Sequence, residues 1–300
     1  MVTGGRWPAV LAIAGVLSLA DPLCAEPVGV QDAYGRVVTI PTPPQRIIPV
    51  YSSNVELVAA LGLADRIVGI EGFTRYPPEI LNRPSIGGRL GISVDAVVAL
   101  QPDLVIVTPA RQAVFQLVDP MERLGIPIII LMQRNVAEIF ANIRLLGRAT
   151  GVPDRGEALA ASLEARLAQI KHRIEGLPQP RVVMIRGRVG NGLLLIAQAD
   201  TYTGDAIVLA GGRFALSGNS PISQVSPEAI IDSDPDFLLY AGAQQELNDL
   251  VTNPGWSEMR AVREHRAVVV NRGELLIPGP RTVAGVEHLA AIFHPSVAGP

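Results

Sequence analysis

The 300-residue chain has little cysteine, almost no lysine and few aromatic side chains. Its one cysteine, Cys24, excludes a disulfide framework and any thiolate zinc or iron–sulfur site within one chain. Its one lysine, Lys171, stands against 24 arginines and lies in a charged helical stretch, which argues against a P-loop, a Schiff base and a lysine general base. The four histidines, His172, His265, His288 and His294, form no pair at metal-ligand spacing, so direct zinc or manganese binding through histidine is disfavoured. There is no Gly-x-Ser-x-Gly elbow, no His-Glu-x-x-His and no Gly-x-Gly-x-x-Gly after a strand-like run. A net charge of −3 gives no electrostatic footprint for nucleic acid. What is abundant is ordinary globular material: 48% hydrophobic and 18% charged residues, enough for two domains and a sizeable core.

The first 25 residues read as a secretory signal. Arg6 precedes an apolar run from Trp7 to Ala20, followed by small and polar residues ending Leu23-Cys24-Ala25. Fourteen apolar residues fall short of the roughly 20 that span a bilayer. Cleavage after Ala25 leaves a mature chain with no cysteine and one tryptophan, Trp256.

From Arg46 onward, short β-branched runs alternate with helical patterns. The runs are Arg46–Val50, Arg66–Ile70, Leu104–Val107 and Pro127–Leu131, then Arg181–Ile185, Phe237–Tyr240 and Ala267–Val270, a parallel α/β signature in two halves. A gapless internal match at an offset of 226 − 93 = 133 aligns Ser93-Val-Asp-Ala-Val-Val-Ala-Leu-Gln-Pro-Asp-Leu-Val-Ile with Ser226-Pro-Glu-Ala-Ile-Ile-Asp-Ser-Asp-Pro-Asp-Phe-Leu-Leu. Each copy predicts a Ser-capped helix with an acid in its first turn, feeding a buried strand. Between the halves, alternating charges from Asp154 to Glu175 predict one long exposed helix that joins the lobes stiffly. The expected division is a signal peptide at 1–25, an N-terminal lobe at 28–150, a linker helix at 151–178 and a C-terminal lobe at 179–300.

These features, with Asp32-Ala-Tyr-Gly-Arg, Pro44-Gln-Arg-Ile-Ile, Glu56-Leu-Val-Ala-Ala-Leu-Gly, Tyr76-Pro-Pro-Glu, Leu124-Gly-Ile-Pro and Gln224-Val-Ser-Pro-Glu in that order, resemble one family. It is the helix-linked periplasmic substrate-binding proteins of ABC importers for ferric siderophores, haem and cobalamin, and the resemblance covers about Val28 to His294. It implies two Rossmann-like α/β lobes with central parallel sheets, joined by a rigid helix, with a ligand cleft between them. The implied protein is exported to the periplasm, monomeric and non-catalytic, with a permease dimer, its ATPase subunits and a small-molecule metal chelate as partners, and no covalently bound cofactor. The family's two permease-docking acids fall on Asp95, where Glu is more usual, and on Glu228. The tyrosine that often ligates haem iron in relatives falls on Gly88, which speaks against axial ligation from that position.

Ligands of open parallel sheets bind beyond the carboxyl ends of the strands, so the strand-end loops of both halves should line the cleft. These loops hold Arg75, Arg89, Arg111, Arg134, Arg186, Arg188, Arg272 and Arg281, whose planar forks suit carboxylate, phosphate or catecholate oxygens. Tyr51, Tyr76 and Tyr202 offer faces for stacking or hydroxyls for hydrogen bonds. The expected ligand-binding set is Tyr51, Arg75, Arg89, Arg111, Arg186, Tyr202, Arg272 and Arg281, with no metal bound by protein side chains alone. A ferric siderophore is the leading ligand on this reading, with cobalamin or haem as alternatives. An exported metal chaperone or α/β enzyme is the competing class, with Glu71, Asp205 and Glu274 as candidate carboxylates that fit a structural or ligand-facing role better than an acid–base pair.

Overall fold

The computed structural model describes Met1 and residues 26–88, 91–108, 111–216 and 224–297, with side chains for all of these except 111–115 and 297. The expected signal peptide, including Cys24, and the loop residue Arg89 lie outside the described residues, as does the Arg111 side chain.

Two sheets organise the chain. In the N-terminal half, strands Ile47–Pro49, Leu104–Val107 and Ile128–Ile130 lie side by side in that order, all parallel. The four residues Leu104 to Val107 are all buried because helices cover both faces, the condition under which a strand reads as a continuous apolar run. Alternate residues serve the two faces. Leu104 and Ile106 pack with the helices Ser52–Ala60 and Val136–Ala149, whereas Val105 and Val107 pack with Val97, Leu117 and Met121.

In the C-terminal half, Arg181–Arg188, Phe237–Tyr240 and Ala267–Val269 are parallel neighbours. Antiparallel Leu194–Ile196 and Gln224–Val225 extend one side, and Arg213–Phe214 pairs with the start of Arg181–Arg188. The period of two recurs, with Val182, Met184 and Leu239 on one face and Val183, Ile185 and Leu238 on the other. The expected strand at Arg66–Ile70 is reduced to isolated bridges, Ile47 to Ile67 and Ile70 to Ser85. Gly69 between them has no room for a side chain: a Cβ there would come within 2.6 Å of Leu100 and 2.8 Å of Ile86.

Helix Pro153–Ile174 joins the halves. Ala160 and Leu163 belong to the N-terminal core and Ile170 to the C-terminal one, with Leu167 packed against both. One helix face is thus shared between two cores, which makes the connection stiff. It crosses the preceding helix Val136–Ala149 where Gly147 meets Gly156, and Arg144 forks onto Glu157 and Glu164 at 2.7–3.0 Å.

The internal repeat is written in hydrogen bonds. Ser93 and Ser226 cap helices Val94–Ala99 and Pro227–Ser233, each side chain accepting from the amide three residues on, at 3.2 and 3.3 Å. Asp103 accepts from the Gln45 and Arg46 amides at 2.7 and 2.8 Å, and Asp236 accepts from the Arg181 amide at 2.7 Å. Arg46 donates back to the carbonyls of Leu100 and Gln101, and Arg181 to those of Ser233 and Asp234, closing each helix's C-terminus. Gln101 and Asp234 are both left-handed, with φ of 47° and 35°. Arg, left-handed residue and Asp thus hold both helices against the start of their sheets.

At the end of the chain, His294 is buried where helix Thr282–Phe293 ends, its ring edge-on to Phe293 and against Gly211. Burial pushes its pKa below the ordinary 6.5, outweighing a bond with the Ala210 backbone that acts in the opposite sense. The unfolded chain therefore takes up this proton first. Stability is unaffected at high pH and falls as the pH drops below about 6.5. His294→Gln should lessen the fall in melting temperature as the pH drops below 6.5; an unchanged slope would place the titrating group elsewhere.

Candidate ligand cleft

On the N-terminal side, Tyr51 turns the chain out of its strand at a φ of 73° and opens helix Ser52–Ala60. Asn54, fully buried, donates to the Val50 carbonyl at 2.7 Å and to Thr108 Oγ1 at 3.1 Å, and accepts from Gln133 at 3.3 Å. This network ties together the carboxyl ends of all three N-terminal strands. Beside it, burial raises the pKa of Glu71 even though the Tyr51 amide lies against its carboxylate. Tyr51 is in turn raised by burial and by the charge of Glu71.

The segment after Glu71 carries the exposed apolar surface of this wall. Phe73 is 55% and Tyr76 42% exposed. Gly72 donates to the Gly87 carbonyl at 2.8 Å, which joins this loop to the hairpin Gly87–Gly88 and Gly91–Ile92 ahead of helix Val94–Ala99. Gly87 has a φ of 147°, and a Cβ there would overlap the Gly91 carbonyl. Gly88, by contrast, faces open space, with nothing within 4 Å of a built Cβ.

On the C-terminal side, Arg181–Arg188 carries a bulge between Ile185 and Gly187, so Arg186 is the displaced residue and its side chain is re-aimed. Its Nε is buried without a partner among the described residues. Burial raises the Tyr202 pKa against the opposing charge of Arg186, and the Tyr202 hydroxyl donates to the Leu276 carbonyl at 2.7 Å. Arg272 donates to the carbonyls of Arg186, at 3.2 Å, and Ala241, bracing two strand ends. The Ala243 amide and the Tyr240 hydroxyl lower the Glu246 pKa, with smaller help from Arg188 and Arg272.

The expected arginines therefore occupy unlike positions. Arg75 folds back onto the carbonyls of Gly72 and Thr74, Arg134 pairs with Glu138, and Arg281 forks onto Glu56. Arg186, Tyr202 and Arg272 come together. Asp95 and Glu228 stand exposed in the first turns of the two helices of the repeat. The Glu228 carboxyl is held below its usual range by its own backbone amide and the Ser226 hydroxyl. Asn191 shapes the turn before Leu194–Ile196 by accepting from the Leu193 amide. Trp256 is buried in the C-terminal core with Ile230 and Met259 and does not face the cleft. The residue that sequence reasoning missed is Glu56, and its signal was a lone charge within the apolar run Val55–Ala60. Among the described residues, no three His, Cys, Asp or Glu side chains converge on one point, and no helix is long and apolar enough to cross a membrane.

Residues 47–271 match the family described as "Periplasmic binding protein". The chain belongs to that family. An uncharacterized ABC transporter substrate-binding lipoprotein of Bacillus subtilis is 26% identical over 276 residues, 90% of this chain and 86% of the relative. A vitamin B12-binding protein of Vibrio campbellii is 25% identical, covering 84% of this chain and 90% of its own. The solved structure of a periplasmic heme binding protein from Pseudomonas aeruginosa superposes with a TM-score of 0.73 at 29% identity, over 84% of this chain and 94% of that one. Its fold is the two-lobed α/β arrangement described above.

Proposed function

We propose that this member of the family is the substrate-binding component of an ABC importer. It captures a metal chelate between its lobes and hands it to a membrane permease dimer driven by ATPase subunits. Export removes residues 1–25, leaving lobes at 28–150 and 179–300 on the linker helix, and Asp95 and Glu228 present the docking charges. Its relatives are named as binding proteins, which favours this reading over an enzyme or a chaperone.

A cobalamin-type corrinoid is the chelate the cleft supports best, and the observation that carries this is the state of the arginines. Arg75, Arg134, Arg272 and Arg281 already spend donors on carbonyls or carboxylates of the chain itself. An anionic ligand would have to displace or share these bonds, which lowers what it gains from each arginine. A neutral, amide-rimmed ring asks instead for apolar faces and room, which Phe73, Tyr76 and Gly88 provide. Gly88 offers no axial ligand to haem iron. A ferric siderophore is the second reading, favoured by the unpartnered Arg186 Nε.

Calorimetric titration of the chain from Glu26 onward with cobalamin, haemin, ferric hydroxamate and ferric citrate separates the readings. Cobalamin should bind one to one, with Kd changed less than about threefold by Arg186→Ala and weakened roughly tenfold by Phe73→Ala, the scale of one aromatic contact. Binding of a ferric chelate that Arg186→Ala weakens by more than about tenfold would replace the corrinoid with a siderophore. No binding to any of the four would remove the transport reading.

A further inference from the structure

Glu56 and Arg281 are 281 − 56 = 225 residues apart, one on a helix of the N-terminal lobe and the other at the start of the last helix of the chain. Arg281 Nε and Nη2 donate to the two oxygens of Glu56 at 2.9 and 2.5 Å, a bidentate fork whose acid side chain is 2% exposed. The same guanidinium lies over the Tyr76 ring, 4.0 Å from its centroid, so the arginine is held on a second side by the exposed aromatic loop of the cleft. Glycines line its approach. A Cβ at Gly279 would come within 3.3 Å of Glu56 Oε2, and one at Gly273 within 2.7 Å of Arg281 Nη1.

We propose that Glu56, Arg281 and Tyr76 form an interlobe clasp that fixes the resting separation of the lobes and sets how fast a bound ligand leaves. The reasoning is mechanical. One shared helix, Pro153–Ile174, leaves two lobes free to rock about its line. A second attachment off that line removes most of this freedom. Val283, two residues beyond Arg281, is packed into the N-terminal core while Val286 and Leu289 belong to the C-terminal one, so the clasp closes the end of a helix already wedged between lobes. A third attachment lies at Asp205, which accepts from the Val136 amide at 2.8 Å and so caps an N-terminal-lobe helix from the other lobe. A largely buried ion pair is poor evidence of a gain in stability, because apolar replacements often fold as well. What the fork supplies that apolar side chains would not is a fixed distance and angle between the elements it joins.

The test needs no ligand in its first arm, so it stands or falls separately from the transport reading. Spin labels at Leu124→Cys and Gln245→Cys, one exposed site per lobe, in the chain from Glu26 onward, which has no other cysteine, report the interlobe distance by double electron–electron resonance. The parent should give one narrow distribution. Glu56→Gln, and separately Tyr76→Leu, should broaden it about twofold and shift it outward. In the second arm, read on Glu56→Gln alone because Tyr76 is itself assigned to the ligand, the off-rate of whichever chelate binds should rise about tenfold. The double variant Glu56→Met/Arg281→Met guards against an unpaired buried charge: it should fold with a normal melting temperature and still show the broad distribution. A distance distribution unchanged in all three variants, or a lowered melting temperature with an unchanged distribution, overturns the clasp.

Discussion

Reversing both helix-tip acids, Asp95→Lys with Glu228→Lys, should cut uptake of the bound chelate by on the order of 100-fold while leaving its Kd within about twofold of the parent's, because like charges facing a basic receptor surface oppose docking and leave the cleft untouched. Both side chains are exposed in the first turn of a helix, and both helices are fixed to their sheets by the same Ser cap, arginine and Asp. Two equivalent tips at the ends of a stiff body are what a dimeric permease with two equivalent surfaces can grip. Transport of labelled chelate into cells that retain the permease and lack their own binding protein reads the first quantity, and calorimetry the second. The single reversals should each cost less than the pair. Loss of affinity instead of uptake would mean that these acids face the ligand.

Gly204→Ala should lower stability by about 3 kcal/mol, the upper part of the overpacking range, and the melting temperature by about 8 °C. A Cβ on Gly204 would overlap the Gln198 carbonyl, which also accepts from the hydroxyl of the helix cap Thr201 at 2.7 Å. The obstacle is backbone, with no flexible side chain to give way. The turn it disturbs carries the Tyr202 bond to Leu276, the Thr203 bond to Leu275 and the Asp205 bond across the lobes, so several contacts shift at once. Gly190, exposed and with nothing within 4 Å of a built Cβ, is the control, and alanine there should change stability by less than about 0.5 kcal/mol. Equal effects at the two positions would show that the close approach at Gly204 relaxes without cost.

Much of the architecture was legible because its causes are local. Leu104–Val107 and Phe237–Tyr240 read as buried strands since a sheet covered on both faces needs apolar residues at every position. The repeat announced two similar lobes through its Ser caps and Pro-Asp exits. What escaped was whatever depends on partners distant in sequence. Arg66–Ile70 has the composition of a strand, yet only isolated bridges, Ile47 to Ile67 and Ile70 to Ser85, tie it to its neighbours. The pairing of Leu194–Ile196 with Arg181–Arg188 is set by the turn around Asn191, which composition alone suggests is a loop.

The cleft arginines show the same limit at the level of function. Their number and their place after strands can be counted, whereas the acceptor each one finds cannot. Strand-end carbonyls such as those of Ala241 and Gly72 compete for a guanidinium on equal terms with a ligand, and several have won. Glu56 was hidden for the complementary reason: its partner lies 225 residues away, and only the fold brings the two together.

Hydrogen exchange with and without saturating cobalamin tests the central claim, capture between the lobes, most directly. The account predicts slower exchange in loops of both lobes at once, around Tyr51–Asn54 and Gly72–Tyr76 on one side and Arg186–Arg188 and Arg272–Leu276 on the other, with the core strands unchanged. Protection confined to one lobe, or placed away from the carboxyl ends of the strands, would contradict it.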